Sequence, residues 1–211
     1  MPSILNASTA SGGGIIASGD SSGILQLQTG GTTAVTVSAS QVVTFAQAPV
    51  LPSGSIPQAA LASNVAGNGP AFNVHLSTSQ TISSSNTPTK VTFNSKVFDT
   101  NNNFDATTNY RFQPTVAGYY QVTASLVLIG SPATWFLVQL YKNGSFYTYL
   151  ADLRYGSSSN ETGGGGSELV YMNGSTDYLE IYAVINGTAP LSVFDNNGGY
   201  SRFSGFLARS A

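Results

Sequence analysis

Cysteine is absent from this 211-residue chain, which excludes disulfides and thiolate-bound metals. Charge is scarce too, with 7 Lys and Arg against 9 Asp and Glu, a net charge of −2 and 8% charged residues. A nucleic-acid surface needs clustered cations, so no nucleic-acid partner is expected. The single histidine, His75, sits in the apolar run Phe72-Asn73-Val74-His75-Leu76. A triad built on it would need a serine and a carboxylate brought there by the fold, and the simpler reading is a hydrogen-bonded histidine at a sheet edge. No apolar run reaches the roughly 20 residues of a membrane-spanning helix. The opening MPSILNAST has neither the basic start nor the apolar core of a leader, so neither membrane insertion nor a signal peptide is expected. A β-rich exterior protein without disulfides is expected to gain its stability by oligomerisation.

What is present divides sharply near Gly69. Of the 16 charged residues only Asp20 precedes Pro70, and of the 23 aromatics only Phe45 does. A segment with so little bulk cannot offset its own chain entropy alone, and is expected to borrow a core from other copies. Residues 1–22, rich in Ser, Ala and Gly, read as an extended anchor. Residues 23–47 contain strand runs at Ile24–Thr29, Ala34–Ser38 and Val42–Phe45, the first two joined through Gly30-Gly31. Leu25 and Leu27 alternate with Gln26 and Gln28, giving a narrow apolar stripe suited to three chains wrapped together. This stretch is similar in texture to the strand-rich shafts of bacteriophage fibre proteins. Residues 48–69 read as a linker and neck, where Ile56–Val65 predicts two helical turns with Ile56, Ala60 and Leu61 toward a trimer axis.

The remainder, 70–211, is organised around VTFNSKVFDTNNNFDATTNYRFQPTVAGYY at 91–120. Phe93 is followed after five residues by Asp99 and after four more by Phe104; Phe112 comes after seven more, and five more lead to Gly118 and then Tyr120. Apart from one inserted residue, and Val122 and Ala124 where aromatics are usual, this resembles the C1q head-domain signature. Pro70-Ala71-Phe72, Leu140-Tyr141-Lys142-Asn143-Gly144 and Phe203-Ser204-Gly205-Phe206-Leu207 resemble the family's opening strand, central hairpin and closing strand, so the likeness spans about 70–208. It implies a two-sheet jelly-roll head that forms a tight homotrimer, some members of the family binding calcium near the trimer axis.

The residues themselves point to the same class. Strand runs at Tyr120–Ile129, Trp135–Tyr141, Phe146–Leu153, Glu168–Met172, Tyr178–Ile185, Leu191–Phe194 and Arg202–Ala208 predict an all-β sandwich. A flexible insert is expected at Tyr155–Ser167, where Gly163–Gly166 fall. Tyr178–Ile185 is apolar or aromatic on both faces, so Tyr178, Tyr182 and Val184 are expected at a trimer interface together with Ile56 and Leu61.

Catalytic constellations are weak. Gly19-Asp20-Ser21-Ser22-Gly23 matches the nucleophile-elbow spacing but lacks the strand before and the helix after. Asp152, Glu161, Glu168, Asp177 and Asp195 are carboxylates that nothing in their order pairs for glycoside hydrolysis. No enzymatic activity is expected. Asp99, Asn101, Asn103 and Asp105 offer oxygens at alternate positions, although Phe104 stands where a calcium loop needs glycine. Calcium is the one cofactor this loop admits. Five N-x-[ST] sequons reflect an Asn- and Ser-rich composition. Tyr147, Tyr149, Tyr155 and Tyr200, with Asn196 and Asn197, combine rigid rings and amides as recognition surfaces do, and Gly163–Gly166 and Asp195–Gly199 are expected to be variable loops.

The sequence thus predicts a homotrimeric bacteriophage fibre or spike subunit on the outer surface of the virion. Its N-terminal segment would dock on other virion proteins, and its C1q-like head would bind a host surface receptor, with a glycan as the expected ligand. The alternatives are a capsid head fibre or decoration protein of structural role and, less well supported, a capsule depolymerase.

Overall fold

The computed structural model describes residues 22–50, 67–188 and 190–211, leaving aside the side chains of 29, 131, 132 and 155–160. The expected neck helix with Ile56 and Leu61, and all of the anchor except Ser22, lie outside the described residues. The chain forms two compact units, Met1–Ile56 and Pro57–Ala211.

In the first unit β1 (Leu25–Thr29), β2 (Thr32–Val37) and β3 (Val43–Phe45) form one antiparallel sheet. Gly30 and Gly31 turn the first hairpin with φ of 57° and 77°, the left-handed values that a two-residue hairpin turn requires. The expected strands are present within two residues of their predicted limits. Leu25, Leu27, Val43 and Phe45 are 49–52% exposed, so this sheet has no core of its own within a single chain.

The second unit contains β4 (Ala71–His75), β5 (Thr78–Thr81), β6 (Thr89–Lys90), β7 (Ser95–Asp99), β8 (Phe104–Asp105), β9 (Arg111–Phe112), β10 (Gly118–Lys142), β11 (Ser145–Met172), β12 (Leu179–Gly187), β13 (Ser192–Asn196) and β14 (Arg202–Ser210). It is a jelly-roll sandwich whose sheets share two long strands. Residues 118–125 of β10 lie between β14 and the second half of β11, residues 127–129 pair with β13 on the same side as β14, and the sheet continues through β14 to β4 and β7. Residues 133–142 of β10 lie between β12 and the first half of β11 in the other sheet, with β6 and β9 on the far side of β12. The crossing falls where the register breaks, between Ile129 and Trp135.

Alternation of side chains builds the core between the sheets. Tyr120, Val122, Ala124, Leu126 and Leu128 point inward from the first limb of β10, Phe136, Val138 and Leu140 from the second, and Leu179, Ile181, Ala183 and Ile185 from β12. Phe93, Phe104, Phe112 and Tyr120, which carry the sequence resemblance, are all fully buried, as are Val122 and Ala124. Burial pushes the Tyr120 phenol above its usual range, and its hydroxyl donates to the Val116 carbonyl at 2.8 Å.

The expected flexible insert is corrected by the structure. β11 runs unbroken through it, and Thr162–Ser167 pair in register with Leu128–Thr123 of β10. A Cβ on Gly164 would stand 2.4 Å from Leu153 Cδ1, and one on Gly166 would stand 2.3 Å from the Leu150 carbonyl oxygen. Gly164 and Gly166 stand where the two halves of β11 approach too closely for side chains, and Gly165 stands where a Cβ would lie 2.2 Å from the Ala124 carbonyl oxygen of β10.

Candidate functional site

The second sheet carries a run of aromatic rings on its outer face. Asn143 and Gly144, with φ of 55° and 76°, turn β10 into β11 and set Tyr141 opposite Phe146. The register then slips, Leu140 pairing with Thr148 and Gln139 with Tyr149, so that Tyr147 is the extra residue of a bulge. This brings the Phe146 ring to 4.8 Å from Tyr149 and 6.1 Å, edge-on, from Tyr141. Tyr141 in turn stacks on Tyr182 of β12 at 3.9 Å. Gln139 lies between Tyr149 and Tyr182 on this face, and its Oε1 is buried without a hydrogen-bond partner.

Charges border the ladder. Glu180 is 4% exposed and pairs with Lys90 of β6. Burial first, and the Glu180 charge second, push the Tyr182 phenol up. Arg111 of β9 lies 4.1 Å over the Tyr178 ring and donates from Nη2 to Gln113 Oε1 at 2.8 Å. Beyond Arg111 opens a cleft of about 570 Å³, bounded by Lys96, Asn102, Thr107, Asn109 and Gln113.

The expected recognition residues divide between the sheets. Tyr147 and Tyr149 are 45% and 52% exposed at the start of β11. Tyr200 (48% exposed), Asn196 and Asn197 lie at the β13–β14 turn beside the first sheet, Tyr200 resting against Phe194 at 4.9 Å. The side chain of Tyr155 is outside the described residues. The β13–β14 turn is held rigidly. Asp195 is buried and accepts from the backbone N–H of Gly198 and of Ser201, at 2.8 and 3.2 Å. His75, also buried, donates from Nδ1 to the Leu76 carbonyl at 2.8 Å, and its ring occupies the space beside Gly198.

The residues expected at a trimer interface are partly covered already. Val184 is 3% exposed in the single chain, Tyr182 is stacked and Tyr178 sits under Arg111. Exposed apolar surface lies also on the outer face of the first sheet, where Phe98, Tyr119, Leu169, Tyr171 and Phe206 are 42–52% exposed.

The calcium candidates are committed to turns. Asp99 accepts from the Asn103 and Phe104 N–H groups and from Lys96. Asp105 accepts from the backbone of Thr107, Thr108 and Asn109, which holds its carboxyl well below the usual range. Asn101 accepts from Thr100, and Asn103 bonds Asn101 and Thr115. A cation would have to displace these donors. Of the acids considered for hydrolysis, Asp152 pairs with Arg154, Asp177 with Lys142, Asp195 caps its turn and Glu168 accepts from the Leu169 N–H.

Phe146 and Arg111 were not among the sequence candidates. The two-residue Asn143-Gly144 turn was signal enough for Phe146, because it dictates that Tyr141 faces it. Nothing local marks Arg111, whose partner Tyr178 is brought to it by the fold.

Among solved structures, the chain is similar to the globular domain of zebrafish complement 1qA protein, at 22% identity and a TM-score of 0.47, covering 67% of this chain and 99% of that one. It is also similar to murine APRIL in structures at pH 8.5 and pH 5.0, at 9% and 10% identity and TM-scores of 0.46, covering 65% of this chain and 98% of theirs. No family model and no curated protein matches the chain.

Proposed function

We propose that this chain is the subunit of a homotrimeric bacteriophage fibre or spike, whose shaft is the β1–β3 sheet and whose jelly-roll head binds a glycan on the host surface. The observation that carries the reading is the lack of a core in the β1–β3 sheet: Leu25, Leu27, Val43 and Phe45 stand half exposed in a single chain. Apolar rows of this kind are stabilised when copies cover one another. The exposed apolar face of the head's first sheet, with Phe98, Leu169 and Phe206, favours the same assembly.

The aromatic ladder supports recognition. Tyr149 and Phe146 offer ring faces held by their neighbours, which cost little entropy when a ligand is bound. Three such surfaces on one rigid head would gain avidity through a high effective concentration. Sedimentation equilibrium of the full chain at micromolar concentration is expected to give the mass of three copies, and a monomer there would remove the basis of the reading. Immunogold labelling of particles with antibody against 70–211 then tests the virion assignment. Gold at the tail is the expected result; gold over the capsid would make the protein a head fibre, and unlabelled particles would refute its place on the virion.

A further inference from the structure

The cleft beside β9 is lined largely by polar side chains that also hold its turns. Its lining includes the amides Asn102, Asn109 and Gln113, the cations Lys96 and Arg111, and the Thr107 hydroxyl. Amide side chains and hydroxyls in a concave site offer donors and acceptors together, which is what the vicinal hydroxyls of a sugar demand.

The two cations differ. Lys96 is engaged, donating to Asp99 Oδ2 at 2.8 Å and to Asn102 Oδ1 at 3.1 Å. Arg111 is partly buried and laid flat on Tyr178, with one of its five N–H groups given to Gln113. Asp105 is directly opposite Arg111 in the β8–β9 pair, yet the two form no ion pair. Both Asp105 oxygens are taken by the 107–109 turn: Oδ1 accepts from the N–H groups of Thr107 and Thr108 and from Thr107 Oγ1, and Oδ2 from Asn109 N and Nδ2. Asp105 also lines the cleft, but its oxygens are occupied by its own turn, and the guanidinium rests on the ring of Tyr178. A planar cation fixed in this way is pre-organised to take a carboxylate through two parallel N–H groups.

We propose that this cleft binds an acidic saccharide, with Arg111 pairing the carboxylate of a uronic acid residue and Asn102, Asn109 and Gln113 bonding its hydroxyls. The proposal rests on the glycan-recognition reading above and places the charged part of the ligand outside the aromatic ladder. The fork of Arg111 sets specificity for the planar carboxylate. The Tyr178 ring fixes the fork, and Lys96, paired with Asp99, lines the same cleft.

The test is a calorimetric titration of the full-length protein, free of divalent cations, with an oligogalacturonate and with the same oligosaccharide after its carboxyl groups are reduced to alcohols. The wild type is expected to bind the acidic form at least about tenfold more tightly than the reduced one, in line with the strength of charge-assisted hydrogen bonds. Arg111→Gln is expected to lose that preference, and Arg111→Lys to restore part of it. Thr107→Trp, at an exposed position, fills the cleft and keeps the Thr107 N–H bond to Asp105 while losing the hydroxyl bond; it is expected to abolish binding and stands in for Arg111→Gln should that variant prove unstable. Equal binding of the acidic and reduced forms, or saccharide binding that neither Arg111→Gln nor Thr107→Trp alters, overturns the cleft assignment while the glycan reading survives. Absence of binding to both forms, together with a panel of neutral glycans that also fail, overturns both.

Discussion

The rings of Phe72 and Phe112 lie face to face, centroids 4.2 Å apart and planes 21° from parallel. Phe72 belongs to β4 in the first sheet and Phe112 to β9, paired to β12 in the second, so this stack ties the two layers together. Phe112 also meets Tyr120 edge-on at 5.4 Å. Phe112→Ala is expected to cost about 3–5 kcal/mol in denaturant unfolding, as large aromatic truncations in cores do. A loss under about 1 kcal/mol would mean that the site collapses around the cavity.

The glycines of β11 should respond unequally. A Cβ at Gly163 would meet nothing nearer than 3.6 Å, whereas at Gly166 it would lie 2.3 Å from the Leu150 carbonyl oxygen. Gly163→Ala should therefore leave the melting temperature nearly unchanged, and Gly166→Ala should destabilise by about 1–3 kcal/mol through overpacking. Equal tolerance at both positions would restore the flexible insert expected from sequence.

Asp105 makes stability depend on pH. Its folded pKa is depressed by the N–H groups of Thr108 and Thr107 and by Asn109. A depressed carboxylate contributes above its unfolded pKa, about 3.9, and loses that contribution as the pH falls toward the folded value. The difference in melting temperature between the wild type and Asp105→Asn should thus be full at pH 7 and narrow progressively below about pH 4. A difference constant from pH 7 to pH 2 would show that the carboxylate charge is irrelevant to the turn.

Interface position can be read from two substitutions. Phe206 is 52% exposed on the first sheet, and Val184 is 3% exposed on β12. For the full chain, Phe206→Glu should weaken assembly in sedimentation equilibrium with little loss of secondary structure. Val184→Ala should lower the melting temperature without altering the mass. The reverse pattern would move the interface to the Tyr178–Val184 face.

Tyr149→Ala removes the exposed end of the ladder, and Tyr200→Ala removes a ring on the other sheet. If the ladder is the receptor surface, the first should reduce adsorption to host cells at least about tenfold and the second should leave it nearly unchanged, their folds intact by circular dichroism. Equal losses would point to a surface that spans both sheets.

Much of the head was legible because its signals are local. Alternation marked the buried rows of β10 and β12, the Asn143-Gly144 pair marked the hairpin, and the spaced aromatics Phe93, Phe104 and Phe112 proved to be core. Gly163–Gly166 misled because a glycine run reads the same whether it serves flexibility or close approach. Close approach accounts for three of the four, Gly164 and Gly166 against Leu153 and Leu150 of the same strand and Gly165 against Ala124 of β10. Sequons at Asn143 and Asn173 likewise turn out to be turn chemistry: Asn143 bonds Asp177 and Tyr178, and Asn173 Oδ1 accepts from the backbone of Ser175, Thr176 and Asp177.

By itself, the amino-acid order determined an all-β chain, a core-poor N-terminal hairpin and a sandwich head, since periodicity, turn residues and composition act over a few residues at a time. Only the tertiary structure decided which rings meet, that Arg111 lies on Tyr178 and not on Asp105, and which sheet presents bare apolar surface. Those outcomes depend on the pairing of strands far apart in the chain, and on where a bulge or a register break sets each side chain, quantities that no local pattern encodes.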